Sequence, residues 1–197
     1  MEARGGGAGA GRSDAVRNRA RLLEAARRLV GERGVEQVTM QAVAEEAGVG
    51  KGTLFRRFGD RDGLLLALID EAEAGFRTAY TSGPPPLGPG APPVERLAAF
   101  GCALIDRVAA TSDLGAALGR RLLPRHRSGS ATGLAFRAHV ADLLREAGVE
   151  GDHEMLAQAL LAFTDFETMD YLGGSCGIPA DRLRAAWADL VRRVTRP

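Results

Sequence analysis

Apolar residues recur along most of this chain at the i, i+3, i+4, i+7 spacing of amphipathic helices. No segment alternates convincingly with the period of two that marks a strand. The pattern predicts an all-α protein of about nine helices. The first covers residues 14–33, built on Arg21-Leu22-Leu23-Glu24-Ala25-Ala26-Arg27-Arg28-Leu29-Val30 and stopped at Gly34. Thr39 then opens a short apolar-periodic run, Met40, Val43, Ala44 and Ala47, before a turn at Gly48 and Val49. A second short helix follows from Gly50 to Phe58. Asp60 reads as the N-cap of a fourth helix over about 61–80, which carries Leu64, Leu65, Leu68, Ile69, Ala72 and Phe76 on one face. Five more helices are predicted at about 94–110, 112–122, 131–147, 152–172 and 180–195. Pro124 and the stretch Ser128–Gly133, then Gly148, then the segment up to Pro179 punctuate them.

Two stretches do not fit a packed helix. Residues 1–13 are a Gly/Ala/Arg tail too poor in apolar groups to fold, and an inert flexible tail is the simpler reading. Arg4 and Arg12 could otherwise reach a minor groove. Residues 81–93 hold six of the nine prolines and three glycines, which predicts a semi-rigid surface connector. The expected organisation is therefore a tail over 1–13, a small helical domain over 14–63 and a larger helical domain over 64–197.

Composition changes this picture little. The chain has 197 residues, 45% of them hydrophobic and 26% charged, enough for a real core. No run approaches the length of a membrane span, and the N-terminus lacks the apolar segment of a secretory signal, so a cytoplasmic protein is expected. Cys102 and Cys176 form neither a disulfide framework nor a metal pair. Net charge is only +1, but residues 1–63 carry 12 basic and 9 acidic side chains. Lys51 is the only lysine among the 26 basic residues.

Two short helices joined by a glycine-containing turn form a helix-turn-helix, whose second helix can enter a DNA major groove. Here the motif covers 39–58. Lys51, Thr53, Arg56 and Arg57 offer charge and hydrogen bonds, while Leu54 and Phe58 anchor the helix inward. Thr39 caps the first helix and can touch a phosphate, and Gln41 points from its first turn toward DNA. Lys51, Gly52 and Thr53 open the second helix, where backbone N–H groups favour a phosphate. Phe55 and Arg56 are the best candidates for base-edge contact. Arg57 and Arg61 suit backbone phosphates. Solvated surface arginines are the bland alternative for each.

An enzyme finds little support. Ala47-Gly48-Val49-Gly50-Lys51-Gly52-Thr53 resembles a phosphate loop, but Gly52 separates the lysine from the threonine and a helix precedes it instead of a strand. His126, His139 and His153 show no metal spacing.

The ordered set LLEAA, ERG, T-x-x-x-V-A-x-x-A-G-V, GTLF-x-x-F and D-R-D-G-L, over roughly residues 17–70, resembles the TetR family of bacterial transcriptional regulators. Two positions depart from the family pattern. Gly50 stands where a capping serine is usual, and Phe55 where tyrosine is common. The resemblance implies a ligand-responsive repressor that acts as a homodimer on an inverted-repeat operator in double-stranded DNA. It implies no cofactor beyond a small-molecule effector held by the C-terminal helices. Candidate pocket residues are Phe100, Cys102, Arg107, Phe136, His139, Phe163, Asp165 and Met169, though each could be ordinary core or surface. The last two helices carry Leu156, Leu160, Phe163, Leu183, Trp187, Leu190, Val191 and Val194, which could form half of an intermolecular four-helix bundle or pack within the chain. A regulator that answers to a protein partner, or that uses the C-terminal helices only to dimerise, is the alternative.

Overall fold

The spacing of apolar positions folds as helix throughout. The computed structural model describes residues 7–118 and 130–196, and among them there is no strand. The elements are α1 (Gly7–Arg33), a 3-10 turn (Val35–Gln37), α2 (Met40–Glu46), α3 (Lys51–Phe58), α4 (Arg61–Ser82), α5 (Pro93–Leu118), α6 (Ala131–Glu146), α7 (His153–Phe163), α8 (Phe166–Met169) with a π turn (Asp170–Ser175), and α9 (Ala180–Val194). They form two compact units, one ending at Glu71 and the other beginning at Ala72. Arg4, the Arg12 side chain, Pro124 and His126 lie outside the described residues.

The N-terminal unit packs Leu22, Leu23, Ala26 and Leu29 of α1 against Val43 and Ala44 of α2, Leu54 of α3, and Leu64, Leu65 and Ile69 at the start of α4. These are the positions that the helical spacing placed inward. Helix α1 begins at Gly7, seven residues before the expected start, so residues 7–13 are not a coil.

The second unit has its own core. Phe76, Phe100, Phe136 and Tyr80 meet as a cluster of rings with centroids 5.2–6.0 Å apart. Leu97, Ile105, Val140, Leu144, Trp187 and Val191 surround them. Helix α5 packs against α6 and α9, and α6 packs against α7. Trp187 is fully buried because α5 offers Gly101: a Cβ there would lie 1.8 Å from the indole. The indole N–H donates to the carbonyls of Leu97 and Ala98 at 3.2 and 3.1 Å, so the polar edge of the ring is satisfied.

Two expected helices differ. The break expected near residue 111 is absent, and α5 runs unbroken to Leu118. Thr111 turns its hydroxyl back to donate to the carbonyl of Arg107 at 2.9 Å, which accommodates it within the helix. The helix expected over 152–172 is instead interrupted. Thr164 is buried and donates its hydroxyl to the Leu161 carbonyl at 3.1 Å, and Asp165 is extended at φ −63°, ψ 145°. Helix α7 ends there, and the chain restarts as one short turn of α8 that widens into the π turn.

Candidate nucleic-acid interface and ligand cavity

Helix α2 starts as the sequence predicts: the Thr39 hydroxyl accepts from the N–H of Ala42 at 3.1 Å. Its end is a tight glycine turn. Gly48 sits at φ +64°, where a side chain would be strained, and the N–H of Val49 reaches back to the Ala44 carbonyl at 2.9 Å. That closure aims α3. Gly50 caps α3 with no side-chain hydrogen bond, so the first-turn N–H groups of Lys51 and Gly52 receive nothing from a capping side chain.

Helix α3 divides cleanly into two faces. Leu54 is fully buried and Phe58 is half-buried, with Arg19 of α1 lying 5.5 Å over its ring. Lys51, Gly52, Phe55, Arg56 and Arg57 are exposed, and Thr53 is half-exposed. Lys51 lies 5.8 Å over the Phe55 ring, and Arg56 reaches the Thr53 hydroxyl at 3.5 Å. The helix contains no acidic residue. Its outer face thus presents three cations, an aromatic ring and a hydroxyl within two turns, next to the exposed Thr39 and Gln41 of α2. Gln41 also bonds to the Glu45 carboxylate on its own helix.

Arg61 departs from expectation. Its guanidinium donates to the carbonyls of Val38 and Val35 at 2.8 and 2.7 Å, inside the fold. These carbonyls belong to the 3-10 turn and its end; that of Val35 also accepts the Val38 N–H at 3.1 Å. Arg61 therefore braces the approach to the motif through its Nε and one Nη. Sequence reasoning missed a second brace, Arg21, which donates to the Ala47 carbonyl at 3.2 Å and ties α1 to the end of α2. Its place on α1 beside Leu22 gave no sign of this.

Two cavities open in the C-terminal unit. The smaller, about 70 Å³, brings together three of the expected pocket residues, Arg107, Phe136 and Asp165. It adds Glu73, Thr132 and Phe166, which sequence reasoning passed over. Glu73 was findable, since it shares the apolar stripe of α4 with Ile69, Phe76 and Tyr80. Its carboxylate lies 4.0 Å from Arg107 and accepts from the Thr132 hydroxyl at 3.4 Å. Arg107 lies over the rings of Phe76 and Phe136 at 5.5 and 5.7 Å. Burial lowers its pKa, with Glu73 opposing. The larger cavity, about 320 Å³, is lined by Met169.

The remaining candidates line neither cavity. Phe100 is fully buried in the ring cluster. His139 stacks against Tyr80 and Phe100 at 4.6 and 5.1 Å, and burial with the nearby Arg96 pushes its pKa down to about 4. Phe163 stacks on Trp187 at 6.5 Å. Cys102 lies beside Asp106, and burial raises its thiol pKa.

The comparisons now bear on this geometry. Residues 22–68 match the profile of the family described as bacterial regulatory proteins, tetR family. The N-terminal unit therefore carries a DNA-binding motif of TetR type.

An HTH-type transcriptional regulator of Staphylococcus aureus is 41% identical over 69 residues, covering 35% of this chain and 37% of that protein. A second S. aureus regulator is 45% identical over 58 residues, or 29% and 31% of the two chains. The chain thus spans about a third of the length of the curated relatives it matches. Solved structures extend the likeness of fold over nearly the whole chain. A TetR-family regulator from Streptomyces coelicolor has a TM-score of 0.59 at 22% identity, covering 91% and 94% of the two chains. A protein from Saccharomonospora viridis in complex with choline has a TM-score of 0.64 at 21% identity, covering 91% and 96%.

In the C-terminal unit, the expected contacts between copies need revision. Leu160, Leu183, Trp187 and Val191 are buried in the chain's own core, so they present no surface to a partner. Leu156, Phe163, Leu190 and Val194 are half-buried against that same core. The outward faces of the two helices carry Met155, Ala159 and Ala162 on α7 and Ala185 and Ala186 on α9. Among the described residues no helix is long and apolar enough to cross a membrane.

Proposed function

We propose that the protein is a sequence-specific DNA-binding transcriptional regulator, acting as a homodimeric, ligand-responsive repressor and not as an enzyme. The observation that carries the DNA-reading part is the outer face of α3: Lys51, Thr53, Phe55, Arg56 and Arg57 stand exposed together on a helix-turn-helix of TetR type. Arg56 and Phe55 read base edges, the arginine pairing with guanine and the ring packing on a thymine methyl. Lys51, Arg57, Thr39 and the free N–H groups of the first α3 turn hold phosphates and set the register. Gln41 reaches DNA by giving up its bond to Glu45. Two copies related by a two-fold axis place two α3 helices in successive major grooves, so the operator is an inverted repeat. The outward faces of α7 and α9, with Met155 and exposed alanines flanked by Glu154, Arg182 and Arg192, are the surfaces available for that pairing. A cavity holding a buried arginine supports a small-molecule effector, and one protein of similar fold holds choline. The effector acts by binding the DNA-incompetent state more tightly than the competent one.

The test is a titration against the DNA upstream of the protein's own gene at several salt concentrations. Specific binding should weaken steeply with salt and fall at least a hundredfold in Arg56→Ala/Arg57→Ala, given roughly 1–3 kcal/mol for a base-reading arginine plus the loss of a phosphate contact. A double variant that binds like the parent would remove α3 from the interface. If no DNA is bound even at low salt, the DNA-reading assignment falls.

A further inference from the structure

The two cavities of the C-terminal unit adjoin, because Val108 and Phe166 line both. Their chemistry differs. The smaller is polar at Glu73, Arg107, Thr132 and Asp165. The larger is walled mainly by Ile105, Met169, Ile178 and Leu183, with Asp170 as its one ionisable group. A cavity needs roughly 10–15 Å³ to hold a water, so 70 Å³ accommodates a small polar head while 320 Å³ accommodates a chain.

Arg107 identifies the head. Its side chain retains 12% of its exposure, and its Nε is buried with no hydrogen-bond partner among the described residues. Glu73 approaches only to 4.0 Å, close enough to balance charge and too far to accept a hydrogen bond. A buried donor left unmet is costly, and a guanidinium edge matches a planar carboxylate through two parallel N–H bonds. Glu73 and Asp165 limit how much more negative charge the site takes, so a doubly charged phosphate monoester is disfavoured.

We propose that the two neighbouring cavities act together as one site for an aliphatic monocarboxylate, with the carboxylate on the Arg107 guanidinium and the chain in the larger cavity. This names the effector class for the ligand-responsive reading above, and it rests on that reading only for the consequence at DNA.

The test uses the full-length protein and calorimetric titration with hexanoate, octanoate and decanoate below their micellar range. The matched n-alkanols, n-alkyl phosphates, n-alkyltrimethylammonium ions and choline serve as comparison series. Carboxylates should bind, tightening about fourfold per added methylene until the cavity is full, with each comparison series at least tenfold weaker. Arg107→Met combined with Glu73→Gln removes both charges at similar volume; it should erase the preference for carboxylate over alcohol and keep the dependence on length. Gly173 lines the larger cavity, and a Cβ there meets nothing within 4 Å, so Gly173→Leu starts a side chain at the cavity wall from an open position. It should flatten the dependence on length and keep the head preference. Equal binding of alcohols, phosphates or ammonium ions, no dependence on length, or no effect of either variant overturns the proposal. Fluorescence anisotropy on operator DNA separates the two readings. Carboxylate binding without DNA release supports the cavity assignment and sinks only the ligand switch. DNA release by choline or an alkylammonium, without carboxylate binding, overturns the cavity assignment and leaves the switch standing.

Discussion

Arg61 and Arg56 show how little residue type alone says about role. Both are arginines near the recognition helix, yet Arg61 donates inward to two backbone carbonyls while Arg56 stands in solvent. Removing Arg61 takes its donor from the Val38 carbonyl, while the Val35 carbonyl keeps the Val38 N–H, so about one hydrogen bond from a charged donor is lost outright, contributing about 1.5–3 kcal/mol. Arg61→Ala should therefore lower stability in urea unfolding by about 2 kcal/mol. Below the melting range, its DNA affinity should change far less than that of Arg56→Ala. A stable Arg61→Ala variant that no longer binds DNA would return Arg61 to the phosphate-contacting set. His139 makes a second prediction at this scale. Its pKa falls from 6.5 to about 4 on folding because burial disfavours the imidazolium; Arg96 adds to this and Asp142 opposes it. The unfolded chain then binds the extra proton first, so stability is full above pH 6.5 and is lost as pH falls toward 4. Replacing the ring by His139→Phe, which suits the neighbouring Tyr80 and Phe100, should flatten the slope of melting temperature against pH in that window. An unchanged slope would place the imidazole in water.

At the scale of elements, the boundaries that sequence placed correctly are those with their own local chemistry. Thr39 before α2, Gly48 after it, Ser130 before α6 and Gly148 after it all act on the backbone within a few residues, so a linear reading finds them. The misplaced boundaries depend on side chains choosing between two local bonds. Thr111 and Thr164 are the same residue type, and each hydroxyl donates to a carbonyl three or four residues earlier, but the helix continues through the first and ends at the second. Asp165, extended immediately after Thr164, decides the matter there. Burial on α9 was legible as a stripe, but what covers it was not. The stripe fits another copy or this chain's α5 equally well, and the deciding feature is Gly101, 86 residues away in sequence and in close contact with the indole. Gly101→Ala should accordingly push Trp187 off its seat and destabilise the chain by roughly 1–3 kcal/mol. Because Trp187 is the only tryptophan, its fluorescence should shift to the red in the folded variant. A fluorescence spectrum and melting curve like the parent's would mean that α5 and α9 separate freely enough to absorb a methyl group.

Across the whole molecule, the positive charge that can meet DNA sits on a single helix and not on the domain as a whole. Residues 1–63 carry three more basic than acidic side chains, but the structural unit runs on through Asp70 and Glu71. Over Met1–Glu71 the counts become 12 basic and 11 acidic, a surplus of one. So small a charge produces little steering at a distance, where salt screens within about 10 Å. What remains is local: Lys51, Arg56 and Arg57 on one exposed face, with no acid on their helix. A dimer then brings at most six cations to the phosphates. With each neutralised phosphate contributing about −0.9 to the slope of log K against log salt, the slope should be no steeper than about −5. A monomer on one half-site would give about half that. Measuring the slope on a full inverted repeat and on one isolated half therefore tests charge and assembly together. With Arg56 on bases and only Lys51 and Arg57 on phosphates, slopes of about −3.6 on the full repeat and about −1.8 on one half fit two copies reading through α3. Equal slopes on the two DNAs exclude symmetric pairing, and a value much steeper than about −5 requires basic groups beyond α3 at the interface.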